Sequence, residues 1–141
     1  MATNVKTILN SQATVVVNEH VIGEAAYPGH IVFLNSLSKF MKQASAGVAV
    51  QVQVLLEDDL QGRAVSTVYA ATSIARAAVL RSGDRFYARL VASFTCKVGA
   101  YLAVAAGGQV DAVGGGVPLF KALEAITVSS TGDDFILVEV L

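Results

Sequence analysis

Residues 48–62, VAVQVQVLLEDDLQG, constrain the fold of this chain more than any other stretch. From Val48 to Leu56 every second residue is aliphatic, which is typical of a strand with one buried face, because side chains alternate between the two faces of a strand. A helix would spread the same valines around its circumference. The acidic residues 57–59 end the apolar run, and Gly62 favours a turn after it. We therefore predict one long strand over 48–56, around which the rest of the chain packs.

Short runs of β-branched and aromatic residues recur along the rest of the chain, separated by polar turns or by turns that contain glycine or proline. A spacing of roughly 8 to 12 residues between turns is typical of all-β sandwiches and barrels. We interpret the polar residues 18–20 as one such turn. The predicted strands are 14–17, 30–34, 74–80, 85–91, 94–98, 101–105, 109–113 and 135–141.

Three segments are compatible with more than one structure. At 36–46 the local pattern slightly favours a helix over a strand, at 119–128 helix and strand fit equally well, and 65–73 could be a loop or a helix. The fold class that fits the whole pattern is all-β, a compact barrel-like or β-tulip-like single domain with little helix. We place this domain at 13–141 and assign 1–12 to an N-terminal arm, because the arm has few apolar residues.

The composition limits the class of function. Of the 141 residues 54% are hydrophobic and only 15% are charged, but no run approaches the roughly 18 apolar residues that a membrane helix needs. We expect a soluble chain, made in the cytosol, that buries part of its apolar surface against other chains, because large apolar patches are rare on monomers. A net charge of −1 with dispersed basic residues argues against nucleic-acid binding. Neither nucleic acid nor a membrane is expected as a partner.

Residues that could support catalysis or bind a metal are scarce. His20 and His30 belong to no metal-binding motif and are expected to be ordinary surface or turn residues, and the single Cys96 is expected to be a small buried apolar residue. The acidic residues 57–59 could form a cation loop, but they lack the ligand spacing of a calcium loop, so a solvated turn is favoured. We predict no catalytic residue, no cofactor, no metal site and no enzymatic activity.

Four segments of the chain resemble one family of phage proteins in their order and spacing. They are GEAAYPGHIV at 23–32, LEDDLQG at 56–62 with Tyr69-Ala70-Ala71 after it, GDRFYA at 83–88 and ILVEV at 136–140. In these segments the chain is similar to the capsid decoration, or cement, proteins of tailed bacteriophages. The resemblance implies a β-barrel or β-tulip domain on the capsid exterior of the virion, synthesised in the host cytoplasm. Within 36–46 it favours a strand over a helix.

The same resemblance implies the partners. These are the major capsid protein and further copies of the chain itself, with a homotrimer favoured over a homodimer. Contacts are expected from the N-terminal arm, from the Arg and Tyr face of the strand at 85–91, which should point outward, and from the C-terminal strand. The candidate assembly contacts are Asn4, Val5, Lys6, Ile8, Leu9, Arg85, Tyr87, Arg89, Phe135 and Leu137.

Two other functions fit the sequence less well. A tail-tube or head-completion protein of a phage would also be a small β-barrel. A β-barrel module that binds a small ligand or a carbohydrate is a candidate of another class, but with no Trp, four Tyr and six Phe the chain offers few rings for stacking against a sugar.

Overall fold

The computed structural model describes residues 7–10, 15–62, 64–91, 94–127 and 134–141. Within these ranges the chain is all-β, with one 3₁₀ turn at Asp59–Gln61 as its helical element. The all-β single-domain fold predicted from the sequence is confirmed. No helix in these ranges is long and apolar enough to cross a membrane. The strands are β1 (Val16–Val21), β2 (Ile31–Leu34), β3 (Phe40–Lys42), β4 (Gln53–Leu55), β5 (Ile74–Val79), β6 (Arg85–Arg89), β7 (Thr95–Cys96), β8 (Tyr101–Val104), β9 (Val110–Ala112), β10 (Phe120–Ala122), β11 (Ile126–Thr127) and β12 (Phe135–Val140).

Most of the strands form two five-stranded antiparallel sheets. The first sheet has the order β1-β5-β4-β2-β3 and the second has the order β6-β12-β10-β8-β9, while β7 and β11 form a separate pair. Parallel bridges curl both sheets: Ile22, just after β1, pairs with Phe40 of β3, and Leu90, just after β6, pairs with Val110 of β9. Because each bridge joins the two outer strands of one sheet, each sheet closes on itself at one end, as the strands of a barrel do.

The main hydrophobic core lies between the two sheets. Ile31, Val54 and Ala78 stand opposite one another on one face of the first sheet. They belong to the same buried cluster as Phe86 and Phe120 of the second sheet, whose rings meet edge to face with centroids 5.6 Å apart. This cluster holds the two sheets together, since each fully buried side chain of this size contributes about 1.5–3 kcal/mol.

A smaller second core lies on the opposite face of the first sheet. It contains Val32, Phe40, Leu55 and Tyr69, each at most 1% exposed. The Tyr69 hydroxyl donates a hydrogen bond of 2.7 Å to the Leu56 carbonyl, so its polar end is satisfied inside the core. Both faces of the first sheet are therefore buried over part of their area, which accounts for the aliphatic and alanine-rich sequence of its inner strands.

The segments that were compatible with more than one structure contain strands and turns. Residues 36–46 contain β3, which pairs with β2 in a hairpin. Residues 65–73 form the loop that leads into β5, and the described part of 119–128 contains β10 and β11. Helical spacing of the apolar residues was misleading here, because pairing with distant strands decides the structure and local spacing does not report it.

The long strand predicted over 48–56 is wrong in its extent, since only β4 pairs with its neighbours as a strand. Burial still alternates before β4, with Val52 buried and Gln51 exposed. However, the N–H group of Gly47 donates a 2.8 Å hydrogen bond to the carbonyl of Val104 in the second sheet. The chain is therefore crossing from the second sheet to the first after Gly47, and one buried side produces the alternation without strand partners.

The turn predicted at 18–20 is also wrong. These residues lie inside β1, where Asn18 pairs with Ala77 of β5 and His20 pairs with Ala75. Because β1 is an outer strand of the first sheet, its polar side chains keep access to solvent while its backbone pairs with β5.

The described N-terminal residues are attached to the second sheet. Leu9 forms a bridge to β6, and the N–H group of Tyr87 donates a 2.8 Å hydrogen bond to the Ile8 carbonyl. Ile8 is fully buried. Over this part the predicted arm therefore belongs to the core, because it covers the edge of β6. The rest of the arm, 1–6 and 11–12, lies outside the described residues, and the domain boundary after residue 12 stays a prediction.

Candidate assembly surface

The outward face of the second sheet collects charged, aromatic and aliphatic side chains from four strands. Arg85 of β6 stands opposite Glu139 of β12. Glu139 in turn stands opposite Lys121 of β10, and Lys121 stands opposite Tyr101 of β8. Residues directly opposite each other present their side chains on the same face of a sheet. The next pair along β6 and β12, Tyr87 and Leu137, lies on the same face. We call these six residues the outer-face patch: Arg85, Tyr87, Tyr101, Lys121, Leu137 and Glu139.

The outer-face patch is accessible to solvent and mixed in chemistry. Arg85 Nε lies 3.5 Å from Glu139 Oε1, with the two side chains 52% and 29% exposed. An ion pair this exposed contributes about 0.2–1 kcal/mol, so it is a weak element of the fold. Tyr101 is 57% exposed. Since Tyr and Arg are enriched at protein interfaces, the patch has the composition of a surface that contacts another protein.

Arg89 lies on the same face of β6 as Arg85 and Tyr87 but is buried, so the prediction that it is available at the surface is wrong. Its side chain lies between two rings, with the guanidinium carbon 4.9 Å from the Tyr27 ring centroid and 4.5 Å from that of Phe135. Its Nε donates to the Pro28 carbonyl at 2.8 Å and its Nη2 donates to the Val65 carbonyl at 2.9 Å. Arg89 is 6% exposed. It fixes the turn at 27–29 over one end of the second sheet.

Ile8, Leu9 and Phe135, which were also predicted as contacts, lie at the end of the second sheet that the turn at 27–29 covers. A methyl group added at Gly29 would lie 3.0 Å from the Phe135 ring and 3.4 Å from Ile8 Cδ1, so the backbone of the turn is in close contact with both side chains. Ile8 and Arg89 are thus buried inside the chain rather than available to a partner, and Phe135 and Leu9 are half-buried.

The predicted assembly contacts therefore separate into three groups. The register between β6 and β12 brings Arg85, Tyr87 and Leu137 together in the outer-face patch. The covered end of the sheet contains Ile8, Leu9, Arg89 and Phe135. The remaining residues, Asn4, Val5 and Lys6, lie outside the described part of the chain.

His30 directly follows the same turn, as expected, but it is buried, so a surface position is wrong. It is 9% exposed, and its Nδ1 accepts a 3.0 Å hydrogen bond from the N–H group of Tyr27. Burial, together with the positive charges of Arg89 and Lys42, lowers the pKa of His30 from 6.5 to about 3. The ring is consequently neutral in the folded protein at neutral pH.

The His30 pKa predicts a loss of stability in mild acid. The unfolded chain takes up a proton on His30 below about pH 6.5 while the folded chain does not, so stability is present above pH 6.5 and falls as the pH drops towards 3. Between pH 7 and pH 5 we expect the free energy of unfolding to fall by about 2 kcal/mol from this residue. Urea denaturation at both pH values measures the loss, and His30→Asn should remove that part of it. An unchanged pH dependence in His30→Asn would contradict the assignment.

Two of the acidic residues after β4, Glu57 and Asp58, make contacts inside the fold, so the prediction of a solvated turn is wrong for them. Asp58 is 2% exposed, and its Oδ1 lies 4.0 Å from Arg76 Nη1 but makes no hydrogen bond within the described residues. Glu57 Oε2 accepts a 2.9 Å hydrogen bond from the N–H group of Ile8. The two carboxylates therefore hold β5 and the N-terminal segment. In the part of the chain that the structure describes, no three His, Cys, Asp or Glu side chains are grouped to hold a metal ion.

Comparison with known proteins gives a similarity in fold. No protein-family model matches the chain, and no curated protein matches it. Its fold is similar to that of a phage head-fibre base. The solved structure is that of the head fiber gp8.5 N base of bacteriophage phi29, with a TM-score of 0.61 and 8% sequence identity over 91% of this chain and 95% of that chain. The shared architecture thus spans nearly the whole of both chains.

Sequence reasoning missed the cluster that Arg89 forms with Tyr27 and Phe135. The three residues are far apart in the sequence, and each has an ordinary place in a strand or turn when considered alone. The available signal was that an arginine precedes the apolar Leu90 and Val91, where a solvated strand end would be expected to stay polar.

Proposed function

We propose that this chain is a non-enzymatic capsid decoration protein, which binds the exterior of a phage head and stabilises the shell by bridging its subunits. The observation that carries the proposal is the similarity in fold to a phage head-fibre base over nearly the whole chain. The resemblance of segments such as 56–62 and 83–88 to decoration proteins supports the same class on separate grounds. The partner is then the major capsid protein.

The outer-face patch is the proposed attachment surface. Its pairing of Arg85 with Glu139 leaves the row of charges nearly balanced, and Tyr87 and Leu137 provide apolar area beside it. Each contact between one copy of the chain and the shell is weak on its own. Many copies on one shell add to its stability, because every bridge between neighbouring subunits must open before the shell comes apart.

Self-association is part of the proposal, with a trimer favoured. Support comes from aliphatic side chains exposed on the first sheet and its turns, among them Leu37 at 72%, Val16 at 61% and Ile74 at 50%. With only 15% of its residues charged, the chain has few charges to oppose association through these side chains. Sedimentation equilibrium gives the mass directly, and a monomer at all concentrations would contradict this part of the proposal.

Charge placed in the outer-face patch should weaken attachment. We expect the double variant Tyr87→Glu, Leu137→Glu to bind purified shells at least about tenfold more weakly than the unmodified protein, because two carboxylates would have to be desolvated at the contact. Cosedimentation with shells that lack the protein measures the bound fraction. Thermal melting shows whether the variant is folded.

The matched control for this variant is Leu60→Glu, which places one negative charge at an exposed apolar position in the 3₁₀ turn, outside the outer-face patch and the residues named for self-association. It should bind shells like the unmodified protein. Equal binding by a folded outer-face variant would show that the patch is not the attachment surface. An unmodified protein that does not sediment with shells would contradict the proposed function itself.

A further inference from the structure

A cleft opens on the face of the first sheet that carries the second core. It has a volume of about 680 Å³, within the range of about 300–1,000 Å³ that is usual for small-molecule sites. Val79 of β5 lies at its centre, opposite Val16 of β1 on one side and Gln53 of β4 on the other. Asn18 and His20 follow Val16 at alternate positions of β1, so their side chains share this face.

Four side-chain amides line the cleft, and within the described residues none of them has a hydrogen-bond partner. They belong to Asn18, Gln43, Gln51 and Gln53. Gln43 is only 8% exposed and is one of the residues that border the cleft. Each amide offers two N–H donors and one carbonyl acceptor. Primary amides that converge on a cavity and are not used by the fold are available to a ligand.

The chemistry of the lining limits the class of ligand. No Lys, Arg, Asp or Glu borders the cleft among the described residues. A phosphate, a carboxylate or a nucleic acid would enter without a counter-charge, which is costly in a partly desolvated site. Phe33 and Leu34 add apolar area to the border, and the His20 ring is held edge-on to Phe40 with centroids 5.1 Å apart. The lining thus combines neutral donors and acceptors with apolar surface.

We propose that this cleft binds a neutral saccharide, whose hydroxyl groups exchange hydrogen bonds with the amides of Asn18, Gln43, Gln51 and Gln53. A sugar hydroxyl both donates and accepts, so neighbouring hydroxyls match the donor and acceptor pair of one amide. The C–H faces of a sugar ring match the apolar border. This function is independent of shell attachment, because the cleft is on the first sheet and the outer-face patch is on the second.

Nuclear magnetic resonance of the side-chain NH₂ groups tests the proposal on the whole chain. The probes are glucose, galactose and N-acetylglucosamine as free sugars, and neutral hexasaccharides built from each as fragments of surface polymers. We expect at least one probe to shift the NH₂ signals of Gln43, Gln51 and Gln53 with a Kd of about 1 mM or tighter. If a hexasaccharide binds and its monosaccharide does not, the source of the ligand is a polymer. The amides of Asn35 and Gln109, which hydrogen-bond to backbone groups elsewhere, should not move.

Two variants show whether the amides are responsible for binding. Gln51→Leu with Gln53→Leu should weaken saccharide binding at least about tenfold, because leucine keeps the size and removes the hydrogen bonds. The matched control is Gln61→Leu, an exposed amide in the 3₁₀ turn, which should bind within about twofold of the unmodified protein. Absence of a shift with every neutral saccharide overturns the proposal. The proposal is also overturned if heparin or an extended peptide, and no neutral saccharide, shifts the NH₂ signals of these amides. Normal saccharide binding by the double variant would overturn it as well.

Discussion

Arg89→Met is expected to destabilise the protein by roughly 4 kcal/mol. Methionine keeps much of the apolar contact with Tyr27 and Phe135 but cannot donate hydrogen bonds. The carbonyls of Pro28 and Val65 would lose the charged donors that now lie 2.8 and 2.9 Å away. A hydrogen bond from a charged group contributes about 1.5–3 kcal/mol, and the buried Pro28 carbonyl left without its donor adds its own cost.

Arg85→Met is the matched control, since it changes the same residue type four positions earlier on the same strand. Arg85 is 52% exposed and its ion pair is weak, so the loss should be at most about 1 kcal/mol. Arg89→Lys should fall between the two, because lysine keeps the charge but not the planar fork of donors. Guanidinium denaturation measures all three variants. Equal losses at Arg89 and Arg85 would show that the buried cluster does not stabilise the fold.

Gly108→Ala is expected to destabilise the protein by about 3 kcal/mol or more, or to prevent folding. Gly108 lies in the β8–β9 turn with φ of +77°, and its carbonyl accepts a 2.8 Å hydrogen bond from the N–H group of Ile31 in the first sheet. A Cβ atom there would lie 2.6 Å from the Ile31 carbonyl oxygen. Either the turn or β2 must move, and this contact between the two sheets would open.

Gly107→Ala is the matched control, which separates the steric cost of an added Cβ atom from the cost of the left-handed backbone. Gly107 has a similar φ of +84°, but a Cβ atom at this position would have no neighbour within 4 Å. Its cost should be limited to the left-handed backbone, about 1 kcal/mol. Denaturation in urea, with circular dichroism as the signal, gives both values. The close approach of the turn to β2 is refuted if the two alanine variants are equally stable.

The sequence was sufficient for the fold class and for several strands. Clean alternation located β6, and apolar runs located β8 and β12, each within one or two residues of their observed ends. The predicted strand at 74–80 corresponds to β5. The extent of the central strand was not predictable, because an extended crossing segment and a paired strand produce the same alternation when one side is buried.

Burial of polar residues was the main feature that the sequence did not reveal. Arg89 and His30 are covered because the turn at 27–29 packs on a strand about 60 residues away, and such a contact leaves no periodic signal. The cleft could not be predicted from the sequence for a related reason. Gln51 and Gln53 occupy the polar side of an alternating run, where uncharged amides facing a cleft cannot be distinguished from residues facing solvent.

The assembly contacts were predictable in type but not in position. Arg85, Tyr87 and Leu137 meet only because β12 pairs with β6, although the two strands are about 50 residues apart in the chain. The N-terminal residues carried an equally plausible signal, yet Ile8 is part of the core. Register between distant strands, which depends on the whole hydrophobic pattern, decides which side chains share a surface.

The proposed function is tested most directly by a cryo-electron microscopy reconstruction, without imposed symmetry, of phage particles assembled in the presence of this chain. We expect density that fits the two curled sheets on the outer surface of the head, with the outer-face patch turned towards the shell, and this density should be absent from particles assembled without the chain. Density for the chain inside the tail tube or at the head–tail junction would contradict it.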